Sequence, residues 1–146
     1  MPRALPLLLI VLSTTVLAPA RAQSAGTPAY RLIAHPSNAA NQVERGFIAD
    51  AFLKKVTRWN DGVLIRPVDQ LSDAPVRRQF SEQVIKRSVT AVKSYWQQLI
   101  FSGREVPPPE LDSDDAVVQY VSKHPGALGY VSGAANIGHA KVIAVR

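Results

Sequence analysis

The feature that most constrains the fold is an alternation of short strand-like segments with longer helix-like segments. Residues 30–35, Tyr-Arg-Leu-Ile-Ala-His, are typical of a strand that stops at Pro36. Val43, Phe47, Ile48, Ala51 and Phe52 then recur at helical spacing, and residues 63–68 again have the character of an extended segment. Strands separated by helices predict an α/β sandwich with a mixed or largely parallel sheet.

Four helices are predicted, each with a recognisable start. The expected first residues or caps are Asn41 with Glu44 as a capping box, Pro75, Thr90, and Asp112 or Ser113. The second helix should bury Val76, Phe80 and Val84. Its opposite face then carries Arg77, Arg78, Lys86 and Arg87, for which the simplest interpretation is a solvated basic surface. Residues 129–131 and 141–145 are predicted to be two more strands.

Residues 1–22 have the organisation of a secretory signal peptide. A basic start at Arg3 is followed by an apolar run over residues 4–17 and by small residues that end at Ala22. The apolar run is shorter than the roughly 20 residues that span a bilayer. The sequence therefore predicts cleavage after Ala22, a periplasmic domain over residues 23–146, and no stable membrane insertion after cleavage.

Composition excludes several kinds of chemistry. The chain of 146 residues has no cysteine, which removes disulfides, thiolate catalysis and cysteine metal sites. Without Arg3 and Arg21 the 17 basic residues fall to 15 against 11 acidic ones, so the predicted mature charge is +4. The basic residues are dispersed among acidic ones, and no nucleic-acid interface is expected.

The motifs that could support catalysis or metal binding are incomplete. Residues 129–133, Gly-Tyr-Val-Ser-Gly, lack the spacing of a serine-hydrolase elbow. His35, His124 and His139 lie far apart in the sequence and do not have metal-ligand spacing. The acidic residues at 112, 114 and 115 fit the start of a helix better than a calcium loop. No catalytic residue, metal or cofactor is expected, and the chain is not predicted to be an enzyme.

Three segments together indicate a known family. They are Ala51-Phe52-Leu53 running into Thr57-Arg58-Trp59-Asn60-Asp61-Gly62, then residues 65–70, Ile-Arg-Pro-Val-Asp-Gln, and finally residues 124–131, His-Pro-Gly-Ala-Leu-Gly-Tyr-Val. In this order and spacing the chain resembles the phosphate ABC transporter substrate-binding proteins, which have the type 2 periplasmic-binding fold. The resemblance runs from Leu32 to Val131. Because these proteins close two lobes around a ligand, it implies that this chain is a single PBP-like lobe with a mixed sheet and about four helices.

The resemblance also implies where a ligand would bind. In the family, an arginine followed four residues later by Ser-Gly-Thr opens a helix and holds a phosphate. The corresponding positions here are Gln70 and Ala74-Pro75-Val76, so the side-chain donors are lost. Asp73 adds a negative charge nearby. Arg77 remains the useful positive group, and the ligand-binding residues predicted for this chain are Gln70, Ser72 and Arg77.

Two functions follow as expectations. The first is a periplasmic solute-binding protein related to phosphate uptake, with phosphate or another small anion as ligand and a homodimer or a partner protein supplying the missing wall. The alternative is a non-catalytic interaction module. In that case the basic helix face and the loop from Pro107 to Pro109 dock another envelope protein.

Overall fold

The computed structural model describes residues 26–146, so the predicted signal peptide lies outside the described residues. The strands are β1 Tyr30–Ala34, β2 Gln42–Val43, β3 Arg66–Pro67, β4 Asp69–Gln70, β5 Glu110–Leu111, β6 Ala127–Ser132 and β7 Lys141–Val145. The helices are α1 Arg45–Phe52, α2 Pro75–Phe80, α3 Val89–Phe101 and α4 Asp114–Lys123, with a π-helical segment at Ser81–Ile85 after α2.

The main sheet has five strands in the order β2-β7-β1-β6-β3, and β4 pairs with β5 in a separate two-stranded ladder. The sheet is mixed, as predicted. Its centre is antiparallel, because β1 pairs in that sense with both β6 and β7, whereas the edge strands β2 and β3 are parallel to their neighbours. The expectation of a largely parallel sheet is therefore wrong.

Successive residues of the central strands point into two different cores. Leu32 of β1 and Tyr130 of β6 pack with Phe52 and Phe80 under α1 and α2. Ile33 of β1 packs instead in a second core that includes residues of α4. The sheet is thus covered by helices on both faces, which is the layered α/β fold that the sequence predicts.

Two predicted helix starts are wrong. Asn41 does not cap α1, because Gln42 and Val43 pair with β7 and the Asn41 carbonyl oxygen accepts a hydrogen bond from Ala144 N at 2.9 Å. The N-cap of α1 is Glu44, without a side-chain cap. The third helix is capped by Ser88, not Thr90: the Ser88 hydroxyl oxygen accepts a hydrogen bond from Ala91 N at 3.1 Å.

Other local predictions are confirmed. Pro75 is the first residue of α2, and Val76, Phe80 and Val84 are buried. Ser113 caps α4 by accepting a hydrogen bond from Ala116 N. Over residues 26–146, no helix is both long and apolar enough to span a membrane.

Candidate functional site

A buried ion pair lies between β4 and α2. Arg77 and Asp69 are 3% and 4% exposed, and Arg77 Nη1 lies 2.6 Å from Asp69 Oδ1. The prediction that Arg77 belongs to the solvated basic face is therefore wrong. The apolar side of α2 includes this position, because Val76 and Phe80 on either side of it are buried as well.

The Asp69 carboxylate has two further donors. The Tyr130 hydroxyl and the Gln70 backbone N–H both donate to Asp69 Oδ1. Tyr130 is held in place by Phe80, since the two rings stack with centroids 3.9 Å apart. The carboxylate of Glu110 approaches Arg77 Nη1 at 3.6 Å from the exposed side. All three donors contact Oδ1, so this oxygen of the buried carboxylate has a guanidinium and two hydrogen-bond donors as partners.

Gln70 has a structural role in the same cluster. Its carbonyl oxygen accepts a hydrogen bond from Arg77 Nη1 at 2.6 Å. Its side-chain Nε2 donates to Asp114 Oδ1 at 2.8 Å and to the Tyr130 carbonyl oxygen at 3.0 Å. Asp114 Oδ1 also accepts from Ser132 N at 3.0 Å. Gln70 thereby links β4, β6 and the first turn of α4.

The electrostatics of the pair are governed by burial. Burial raises the pKa of Asp69 from its ordinary value of 3.8 to about 6, although Arg77 and the hydrogen bonds from Tyr130 and Gln70 act in the opposite direction. Burial, with Asp69 as the second cause, also raises the pKa of the Tyr130 hydroxyl. At neutral pH, Asp69 is a carboxylate and Tyr130 is its neutral donor.

The structure brings together two of the three residues predicted to bind a ligand, and the third lies apart from them. Gln70 and Arg77 are both buried and in direct contact, whereas Ser72 is exposed in the turn before α2. The helix starts at Pro75, and its N-cap, Ala74, has no side-chain cap. Arg77 Nε has no hydrogen-bond partner among residues 26–146. Ligand binding by Gln70, Ser72 and Arg77 stays a prediction.

Sequence reasoning missed the partners of Arg77 in this cluster. Asp69 follows Val68 at the end of an extended segment that also contains the buried Ile65. An acidic residue in such a segment is a signal that a buried cation is needed nearby. Tyr130 lies two residues after Leu128, and both side chains belong to the same core. The strand period could therefore have placed the Tyr130 ring beside α2, but not its hydroxyl against Asp69.

A separate groove of about 580 Å³ lies beside the edge strand β2. Phe47 and Trp59, whose ring centroids are 5.7 Å apart, form its aromatic wall. Glu44 and Arg146 form an ion pair of 2.6 Å at its rim. The groove shares no lining residue with the Asp69–Arg77 cluster. In the part of the chain that the structure describes, no group of three or more His, Asp or Glu side chains is arranged to hold a metal ion.

Known structures resemble this fold at low sequence identity. A protein from Clostridium perfringens, assigned as a phosphate ABC transporter substrate-binding protein and solved with bound phosphate, matches with a TM-score of 0.62 and 19% identity over 80% of this chain and 44% of its own. An ABC-type phosphate transport receptor from Vibrio cholerae matches with a TM-score of 0.61 and 15% identity over 80% of this chain and 46% of its own.

PstS from Borrelia burgdorferi matches with a TM-score of 0.62 and 13% identity over 81% of this chain and 47% of its own. No protein-family model and no curated protein sequence matches the chain. The chain thus spans less than half the length of the solved proteins that it resembles. The fold predicted from the sequence is confirmed: this chain has the fold of one lobe of a phosphate ABC transporter substrate-binding protein.

Proposed function

We propose that this chain is an exported, non-catalytic periplasmic domain that keeps the solute-binding fold as a scaffold for interaction with another envelope protein. The observation that carries the proposal is the ion pair between Arg77 and Asp69. In the family that the sequence resembles, the start of this helix holds an anion. Here the positive group beside the helix start is neutralised by a carboxylate of the same chain.

Binding of phosphate or another small anion is the competing function. It requires Arg77 to exchange Asp69 for the ligand, or to hold both negative charges at once. Exchange would leave a buried carboxylate without its cation, and breaking a buried pair costs about 3–5 kcal/mol. The neutral donors that could compensate are few, because Ala74 and Pro75 contribute no side-chain hydrogen bond. A homodimer would be needed to enclose such a ligand.

The surface next to the cluster supports a docking function. Pro109 lies against β4, since its carbonyl oxygen accepts a hydrogen bond from Asp69 N at 2.9 Å. The proline loop and α2 are therefore neighbours. Arg78 of α2 and Pro107 and Pro109 of the loop are exposed, while Pro108 is buried. Stiff proline rings next to a helix that carries an exposed cation form a surface that a partner can bind with little loss of conformational entropy.

Site-specific photo-cross-linking in the producing cell tests this function. A photoreactive residue at position 107 should give a defined adduct with one envelope protein, whereas the same residue at the exposed position 136 should not. The variant R78E should reduce the adduct at position 107 without changing the unfolding midpoint, because Arg78 is exposed. Adducts of equal yield at positions 107 and 136, or an adduct that is insensitive to charge reversal, would contradict the proposed docking surface.

A further inference from the structure

The last turn of α3 and the loop after it expose a cluster of apolar side chains. Phe101 is 91% exposed, Val106 is 62% exposed and Ile100 is 50% exposed. Ile100, Arg104, Glu105 and Val106 line one shallow depression of about 280 Å³. Contiguous apolar side chains of this kind mark interaction sites. We refer to Ile100, Phe101, Arg104 and Val106 as the α3 tip.

Basic side chains accompany the α3 tip. Residues 89–104, which comprise α3 and the turn after it, carry two basic side chains, Lys93 and Arg104, and no acidic one. Lys93 and Phe101 are two helical turns apart and lie on the same face of α3, and both are exposed. The acidic residue that follows, Glu105, pairs with Lys54 at 3.2 Å. Helix α3 and the turn after it therefore combine an apolar end with two exposed basic side chains, Lys93 and Arg104.

The geometry of α3 favours a lipid surface over a protein groove. The helix is attached to the domain by its buried residues Val92 and Trp96, and the Phe101 ring at its end is 91% exposed. A fully exposed ring needs a matching pocket on a protein partner, whereas a lipid interface accepts it without one. Amphipathic aromatic and basic residues are the combination that binds at the headgroup level of anionic membranes.

We propose that the α3 tip docks this protein peripherally on a membrane surface that contains anionic lipids. Phe101, Ile100 and Val106 enter the interfacial region, while Lys93 and Arg104 contact the headgroups. This docking does not depend on the protein-interaction function proposed above, because it uses a different helix from the surface around Arg78.

Vesicle flotation with the processed protein, residues 23–146, tests the proposal. The protein should bind vesicles of equal parts phosphatidylcholine and phosphatidylglycerol, bind vesicles of phosphatidylcholine weakly, and dissociate as salt is added. F101S should lower the partition coefficient by about tenfold, equivalent to about 1.4 kcal/mol. R104Q should lower it by about fivefold, because one cation near an anionic surface contributes on the order of 1 kcal/mol.

Matched controls separate the α3 tip from general apolar or basic surface. L64S removes a side chain that is 46% exposed elsewhere, and R78Q removes an exposed cation of α2. Both variants should keep the partition coefficient within about twofold of the wild-type value, which is much less than the roughly tenfold decrease expected for F101S. Equal binding by F101S and the wild type, or no binding to the mixed vesicles, overturns the proposal. So does loss of self-association in F101S without any vesicle binding, which would assign the tip to a protein contact.

Discussion

At the scale of single residues, the buried ion pair of Asp69 and Arg77 is the centre of the candidate site. A buried ion pair contributes little net stability compared with apolar residues, but removing one partner is costly. Asp69 is satisfied by Arg77, Tyr130 and Gln70, whereas one guanidinium nitrogen, Arg77 Nε, is left without a partner among the described residues. The carboxylate contacts the guanidinium directly, with Asp69 Oδ1 2.6 Å from Arg77 Nη1.

The variant D69A should create a small anion site. It leaves Arg77 buried beside a gap of the size of a carboxyl group, with the half-exposed carboxylate of Glu110, 3.6 Å from Nη1, as its remaining anionic partner. We expect D69A to lose about 3–5 kcal/mol of unfolding free energy. Formate should restore part of this loss, whereas chloride at equal ionic strength restores less. Urea unfolding with each salt measures the effect, and the double variant D69A/R77Q should not respond to formate. Equal responses of D69A to both salts would show that the gap does not select a carboxylate.

The raised pKa of Asp69 makes stability depend on pH in a defined direction. Because folding raises this pKa from 3.8 to about 6, the folded protein binds the proton more tightly than the unfolded chain. The contribution of the group is complete below pH 3.8 and is lost as the pH rises through 6. A pKa difference of this size between the folded and unfolded states corresponds to about 3 kcal/mol of unfolding free energy.

Urea unfolding of the wild type and D69N at a series of pH values isolates this contribution. The wild type should lose unfolding free energy relative to D69N between pH 3.8 and 6. If the wild type instead gained unfolding free energy relative to D69N as the pH rose over this range, the pKa of Asp69 would be lowered on folding, which would contradict the assignment.

At the scale of elements, α4 packs against β6 through a glycine. A Cβ at Gly129 would lie 2.7 Å from Val117 Cγ1 and 3.0 Å from Val68 Cγ2, both on buried residues. G129A should therefore lower the unfolding free energy by about 1–3 kcal/mol through overpacking.

G46A is the matched control for G129A. Gly46 lies in α1, and a Cβ there meets no atom within 4 Å. Alanine is favoured over glycine in a helix, so G46A should raise the unfolding free energy by about 0.5–1 kcal/mol. Thermal unfolding of both variants measures the two effects. A stabilising G129A would show that α4 does not lie as close to β6 as described.

The elements also show what periodicity can predict. The strands at residues 30 and 141 and the helix starts at Pro75 and Ser113 follow local patterns, and the structure has them there. The cap at Asn41 fails because Gln42 and Val43 pair with β7, a contact about a hundred residues away in the sequence. The prediction that Arg77 is solvated fails for a related reason. The burial of Arg77 depends on Asp69 and Tyr130, and helical spacing carries no information about either residue.

At the scale of the whole molecule, this chain is about half as long as the solved proteins whose fold it resembles. The resemblance connects Gln70, Ser72 and Arg77 with phosphate. In this chain Gln70 and Arg77 form part of a buried network that joins β4, β6 and α4, whereas Ser72 is exposed. The α/β class was predictable from segment order and apolar spacing, and the lobe was predictable from the resemblance to the family. The buried cluster around Asp69 and Arg77 was not predictable, because it depends on which polar atoms meet in the core.

Thermal unfolding of residues 23–146 with and without millimolar phosphate tests the central claim most directly. If Asp69 occupies the guanidinium of Arg77, phosphate should shift the unfolding temperature no more than sulfate or chloride at equal ionic strength. A ligand at a hundred times its dissociation constant stabilises a protein by about 2.7 kcal/mol. An upward shift specific to phosphate and absent from R77Q would contradict the account and would support Gln70, Ser72 and Arg77 as a ligand site.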